Sequence, residues 1–416
     1  MPFMHAVIRR TGSFFLIISM FLFGFSCTNN PADSGDDDGE IDDCTLDGTI
    51  VYDSAGGPYT FTCNRVYING SMTIAAGTQA TLKGYFDITR TGTLTIEQGA
   101  RLLMDEGSYL RVNGGRLNIN GTQAHPIRIK NSETGKYWGP SDEAFGGICF
   151  DSNAHKQSSI TWCYIDSATN GISSDKDGLS ITNTAVRNAQ HNGIIFYESG
   201  PADSAHFIGN AFINNGSGKS DYPLVIDAAN CTRLAGDGVF TDNSQQAIKV
   251  YCQGSSNMVT ESGTWRKHPV PYIFSNHYAY LENSNGVTIT IQPGTRLMFQ
   301  EDSYIVVGRG TLIARGTAAD SILFENQIAG TRWGFEAGLQ FTDNSPANSV
   351  IQYCRISFAK ENGMYLYTEP ATVSNCTISD CQRFGIYMHE AGASVNVDLG
   401  TITFSNNGTG EYFIDN

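Results

Sequence analysis

Thr95-Ile96-Glu97-Gln98-Gly99-Ala100-Arg101-Leu102 returns as Thr290-Ile291-Gln292-Pro293-Gly294-Thr295-Arg296-Leu297, a shift of 195 residues from position 95 to position 290. The same shift pairs Ser108-Tyr109 with Ser303-Tyr304, Gly121-Thr122 with Gly316-Thr317, and Trp138-Gly139 with Trp333-Gly334. After a small difference in length, Gly147-Ile148-Cys149-Phe150 aligns with Gly338-Leu339-Gln340-Phe341, and Cys163-Tyr164-Ile165 with Cys354-Arg355-Ile356. Gly193-Ile194 and Asn215-Gly216 then align with Gly385-Ile386 and Asn407-Gly408. Matches kept in one order over such a span are an internal duplication. Each copy has a similar lead-in, Gly57-Pro58-Tyr59 and Val270-Pro271-Tyr272, now shifted by 213 from position 58 to position 271. The extra length corresponds to about one added repeat unit in the first copy, near Ala80 to Thr93, an insertion that a stack of nearest-neighbour units tolerates.

A finer period lies inside the copies. Gly363-Met364-Tyr365-Leu366 is followed 22 residues later by Gly385-Ile386-Tyr387-Met388, and Gly171-Ile172 precedes Gly193-Ile194 by the same interval. Each unit holds short alternating stretches such as Ser180-Ile181-Thr182 and Ala371-Thr372-Val373. Alternation places Ile, Leu and Val on one face, and the Asn and Gly between the stretches supply tight or left-handed bends. With 45 Gly and 16% charged residues in 416, and no long helical pattern after the N-terminus, the chain reads as all-β with many turns.

Short strands, a 22-residue unit and Asn-rich corners resemble the right-handed parallel β-helix, a single-chain solenoid in which three strands per coil wrap an apolar core. The phrases Leu94-Thr95-Ile96-Glu97-Gln98-Gly99, Thr264-Trp265 before Pro271-Tyr272, and Tyr353-Cys354-Arg355-Ile356 are similar to those of β-helix repeat lipoproteins of environmental bacteria. The resemblance covers residues 48–416, with related halves at about 48–222 and 223–416. Such a scaffold hosts many functions, so it fixes architecture rather than chemistry.

The N-terminus carries an address. Arg9 and Arg10 precede an uncharged apolar run, Phe14 to Phe23, that is too short to span a bilayer comfortably. Gly24, Phe25 and Ser26 then lead to Cys27. Residues 1–26 resemble a bacterial lipoprotein signal peptide, with Gly24 where Leu is usual, and the resemblance makes Cys27 the lipidated residue. Residues 27–47 read as a disordered tether: from Thr28 to Asp47 there are eight acidic residues and no Lys or Arg. An acidic run after a lipidated Cys is similar to the export signals of some surface lipoproteins, which implies a bacterial outer membrane or cell-surface location and a membrane partner through the lipid. The formal net charge of −15 lacks the basic surplus that a nucleic-acid binder needs. Much of that acidity is tether; residues 48–416 carry 33 acids against 24 bases.

Ten cysteines occur. Cys44 and Cys63 flank the start of the repeats and are candidates for a disulfide that pins the first coil; Cys231 and Cys252, one coil apart, are a second candidate pair. Cys163, Cys354 and Cys376 recur at one phase of the coil and read as a buried ladder. No Cys or His spacing suits zinc, so no metal site is expected through sulfur.

Candidate chemistry lies on the outward positions of the coils. If Met364 and Ile386 point inward, Gln340, Tyr365 and Tyr387 form one outward row and Thr342, Tyr367 and His389 the next. Tyr365, Tyr367, Tyr387 and His389 are thereby candidate ligand-binding residues for sugar rings, with a stabilising aromatic ladder as the alternative. In the first copy the equivalent rows hold Cys149, Ser173 and Ile195, and Asp151, Asp175 and Tyr197. Asp151 and Asp175, if adjacent, could divide the roles of acid and base or hold a Ca²⁺; otherwise they are solvated strand-end carboxylates. No outward Lys or Arg falls in those rows. Arg128-Ile129-Lys130, replaced by Leu323-Phe324-Glu325 in the second copy, reads as an ordinary strand. Trp138 and Trp333 stand at one phase of both copies, ahead of a Gly-led strand, which favours packing over binding.

No complete catalytic set emerges. The expectation is a surface-anchored, non-catalytic β-helix lipoprotein that binds glycan or extracellular polysaccharide and needs no cofactor. The alternatives are a polysaccharide lyase or glycoside hydrolase acting through Asp151 and Asp175, and a purely structural cell-envelope protein.

Overall fold

The structure, a computed structural model, describes residues 43–140, 145–252, 257–367, 371–389 and 396–415. The signal segment, Cys27 and most of the acidic tether lie outside the described residues. The described chain winds as a parallel β-solenoid. Every strand pairing among the described residues is parallel, and each strand sends alternate residues into the coil. In Thr93–Glu97, Leu94 and Ile96 are fully buried, and they stack on Leu117 and Ile119 of Arg116–Asn120 one coil later. Met72 and Ile74 continue the same columns one coil earlier. Burying each such side chain stabilises by about 1.5–3 kcal/mol, and the columns merge into one apolar core along the axis.

Three sides surround that core. One is a long sheet of 15 strands that runs through both halves. The second side is a six-stranded sheet in the first half and a seven-stranded sheet in the second. The third side is likewise divided, into eight strands and five. Corners between sides are held by residues in the left-handed region, and Asn fills many of them: Asn183, Asn188, Asn214, Asn375 and Asn406 all have positive φ. Asn tolerates that conformation because its short side chain can hydrogen-bond locally.

Strand for strand the two copies correspond. Arg101–Met104, Leu110–Val112, Arg116–Asn120 and Ile127–Asn131 match Arg296–Phe299, Ile305–Val307, Thr311–Arg315 and Ile322–Asn326. Their positions around the axis do not correspond. Leu110–Val112 belongs to the long sheet, but Ile305–Val307 belongs to the second side; Arg101–Met104 lies on the third side, but Arg296–Phe299 lies in the long sheet. The short 3₁₀ segments Ser204–His206 and Ala228–Arg233 stand where second-side strands would be. Counting them as sides, equivalent strands are separated by whole coils plus one further side. The second copy is therefore turned by one side relative to the first.

The tryptophans explain the Gly-led strands. Trp138 and Trp333 are fully buried, and each indole N–H donates to a backbone carbonyl, that of Asp166 at 2.8 Å and that of Ser357 at 2.6 Å. A Cβ at Gly147 would come within 2.5 Å of the Trp138 ring, and one at Gly338 within 2.4 Å of the Trp333 ring. Glycine is needed there because the indole lies over the backbone.

The solenoid starts earlier than the sequence reading placed it. Cys44–Leu46 is already a strand of the long sheet, paired with Val66 to Ile68, so the ordered body begins inside the segment 27–47. Burial of Cys44 and Leu46 and a Cys44–Cys63 disulfide hold it there, with Tyr52, Tyr59 and Phe61 packed edge to face beside it. Cys231 and Cys252, the second candidate pair, are both free thiols. Cys231 sits on the corner helix Ala228–Arg233 with its thiol donating to the Asp227 carbonyl, and both side chains pack as small apolar groups. Cys163, Cys354 and Cys376 are buried and free as well.

Candidate functional site

The long sheet brings the first-copy rows together. Asp151 and Asp175 end adjacent strands: Cys149 pairs with Ser173 and Phe150 with Ser174, and the Asp175 N–H donates to the Phe150 carbonyl. Burial, then the Asp151 charge, raises the Asp175 carboxyl above its ordinary value. Asp151 itself is answered by Arg111, whose Nε and Nη2 donate to one carboxylate oxygen at 3.0 and 2.8 Å. Arg111 pairs in register with Cys149 on one side and Asp87 on the other, so it occupies the very row in which no outward cation was expected. Extending the alternation Leu110-Arg111-Val112 back by one coil would have found it. Asp87, almost wholly buried, is raised by burial and drawn back down by Arg111 and Arg65. The region is thus a chain of alternating charges rather than an isolated pair of carboxylates. Among the described residues no group of three His, Cys, Asp or Glu is arranged to hold a metal ion.

Further along the same sheet the row passes through Ile195, Val225 and Lys249. Here it opens into a cleft of about 450 Å³ lined by Ile195, Tyr197, Ser220, Asp227, Lys249 and Tyr251. Its wall is the segment that contains Tyr222, which leaves the solenoid and packs back on the sheet's outer surface. Tyr222, Ala247 and Ile273 form a small apolar cluster there, with Val225 and Met298 against it. Asp221 fastens the turn by accepting from the N–H groups of Ser217 and Gly218 at 3.0 and 2.7 Å, and the Tyr222 N–H donates to Asn192 Oδ1 at 2.8 Å.

Lys249 lies in this cleft near the Tyr222 and Tyr251 rings, 5.5 and 6.0 Å from their centroids. It forms no ion pair among the described residues, and burial lowers its pKa. Asp227, 2% exposed, accepts from the backbone and side-chain N–H groups of Asn230, yet burial still pushes its carboxyl up to about 6. Both groups are shifted toward their neutral forms by the same cause, burial away from water.

The aromatic residues of the second copy also come together, on the second side. Gln340, Tyr365 and Tyr387 are in register, and the row continues to Phe413. Tyr365 and Tyr387 stack at 5.0 Å with 15° between ring planes, and Tyr367 lies 4.3 Å from His389. The Tyr387 hydroxyl donates to Asp415 at 3.0 Å. The faces of these rings are turned toward one another, so solvent meets mainly their edges. A sugar ring packs on an open aromatic face, and the stack consumes those faces. The Tyr365–Tyr387 stack links neighbouring coils as an aromatic ladder does.

Strand pairing and coil order make the described chain a parallel β-helix. Residues 239–414 match the family model described as right handed beta helix region. No curated protein matches. Among solved structures, the crystal structure of the periplasmic alginate epimerase AlgG is similar at 8% identity and a TM-score of 0.24, over 90% of this chain and 82% of that one. No helix among the described residues is long and apolar enough to cross a membrane.

Proposed function

We propose that this protein is a glycan-binding β-helix, displayed at a bacterial cell surface on a lipidated Cys27, that holds a saccharide chain in the Lys249 cleft of the long sheet. The observation that carries this reading is the cleft itself: a concave site with aromatic rings, the acids Glu198 and Asp227, and a cation, Lys249, that forms no ion pair among the described residues. Sites of this composition suit ligands with both apolar C–H faces and many hydroxyls. The acidic stretch after Cys27 supports display away from a membrane, since like charges along it repel one another.

Retention of the full chain on gels carrying a panel of neutral and acidic polysaccharides tests the reading. Lys249→Met and Tyr251→Ala are expected to weaken retention at least tenfold, with Tyr365→Ala and Tyr387→Ala leaving it unchanged. Unaltered retention in both cleft variants, or loss in the ladder variants alone, would overturn it. A second reading, a polysaccharide lyase or hydrolase, draws on Asp227 and Lys249, two titratable groups shifted toward neutrality in one cleft. It predicts new reducing or unsaturated ends in the same incubations, abolished in Lys249→Met.

A further inference from the structure

The third side of the first half carries a cluster of cations that the duplication makes conspicuous. In the eight-stranded sheet, Arg128 lies in register between Arg101 and Tyr164, and Lys130 lies in register between Leu103 and Asp166, which pairs on with Arg187. Together they line a groove of about 320 Å³. Arg101, Arg128 and Lys130 are exposed and form no ion pair among the described residues. Asp166, the acid in the groove, is held by Arg187 at 3.1 Å and by Asn188 at 2.9 Å. Tyr164 lies between two guanidiniums, 4.8 Å from Arg187 and 5.7 Å from Arg128.

The second copy shows the same strands without this cluster. Arg296 takes the place of Arg101, and Glu325 takes the place of Lys130. There the pair closes: Arg296 Nη2 and Nε donate to Glu325 at 2.7 and 3.2 Å. One copy thus satisfies its arginine within the fold, and the other sets like charges side by side on neighbouring strands, an arrangement that repels. Within a body of net negative charge, a concave surface with four cations to one committed acid is an anion site.

We propose that this groove binds an anionic polysaccharide, one whose carboxylate or sulfate groups are taken by Arg101, Arg128, Lys130 and Arg187. Guanidiniums offer the planar, two-pronged donation that such groups accept. Arg101 and Arg128 stand one strand spacing apart, about 4.8 Å, close to the length of one pyranose unit, and Arg187 lies two strands beyond Lys130. This site lies on a different side from the Lys249 cleft and does not depend on it.

The test uses the full chain and its Lys130→Glu variant, which rebuilds in the first copy the pair already present in the second and so preserves the fold; circular dichroism melting verifies that. Polygalacturonate and dextran sulfate are the probes, with neutral dextran as control, and the two polyanions separate carboxylate from sulfate recognition. Expected is retention on at least one polyanion, weakened with rising salt, and a loss of at least tenfold in Lys130→Glu, with Lys130→Gln intermediate. A loss in Lys249→Met with none in Lys130→Glu would assign polyanion retention to the cleft and overturn this proposal, which separates failure here from failure of the cleft. Equal retention of Lys130→Glu and the parent, no retention on either polyanion, or tighter binding to single-stranded DNA than to both polysaccharides would each overturn the proposal.

Discussion

The two halves of the solenoid share strands, corners and buried tryptophans, yet they present different surfaces to different directions. In the first, outward positions of the third side are unpaired cations; in the second, the equivalent positions lie on the long sheet and are closed into an ion pair. In the first, the outward row that starts at Cys149, after Trp138, runs through Ser173, Ile195 and Val225 to the Lys249 cleft; in the second, its counterpart is an aromatic ladder on the second side. The inward-facing residues therefore carry the shared ancestry, and the outward-facing residues carry the divergence. This follows from energetics. An inward change opens a cavity or overfills the coil, whereas an exposed change usually costs little.

The largest expected effect probes what the halves share. Trp138→Ala and Trp333→Ala should each destabilise by about 3–5 kcal/mol. Trp333 should lie at the upper end because it also stacks on Phe299, 4.2 Å away at 12°, where the first copy has Met104. Denaturant unfolding with hydrogen exchange read per half would check both. Equal losses spread over the whole chain would show that the halves do not unfold as separable units.

The next effect concerns the junction, where neither copy dictates the environment. The ring nitrogens of His268 are both shielded from solvent and unpartnered, and burial, with Arg266 nearby, lowers its pKa to about 4. His268 therefore favours its neutral form in the fold, so its contribution is present above its unfolded pKa of 6.5 and lost as pH falls through about 4. Asp227 has the opposite sign: raised from 3.8 to about 6, its contribution is present at low pH and lost as pH rises through about 6. Each amounts to roughly 3 kcal/mol, so the two largely offset between pH 4 and 6.5. Asp227→Asn should expose a loss of stability on acidification, and His268→Phe a loss on alkalinisation. Melting temperatures across that range, if parallel for parent and variants, would refute the assignment.

The smallest effect would convert one half into the other. Glu325→Lys breaks the Arg296 pair and copies the first-half arrangement onto the long sheet. Because Arg296 is half exposed, the stability cost should stay below about 1 kcal/mol. The variant should gain retention on polyanions, measured beside Lys130→Glu; no gain would mean that the first-copy groove needs Tyr164 or Arg187 as well.

Much of the fold was legible because the pleat translates sequence directly into inside and outside. Met364, Ile386, Ile172 and Ile194 are buried as their alternation requires, and the Tyr365–Tyr387 register follows from the 22-residue interval. The turn between the copies was not legible, because it depends on the 3₁₀ segments at Ser204–His206 and Ala228–Arg233, which residue counting cannot distinguish from strands. The cleft was hidden for another reason. Its wall comes from a connection whose anchor, Tyr222, docks on the outer surface of the sheet, and no periodicity announces such a contact. The stacking of the aromatic faces likewise depends on ring orientation, which strand register alone leaves open.

The one-side turn between copies gives the sequence and the object different symmetries. Along the chain the copies are related by a simple translation, but in space they are related by a screw. Residues that align in the two copies, such as Arg101 and Arg296, therefore look outward in different directions and cannot grip one straight ligand together. Any cooperation between the halves must instead join non-equivalent residues that share a side, as Lys249, Met298 and Glu325 do along the long sheet. Duplication here did not repeat a surface; it supplied a second set of directions in which outward residues diverged.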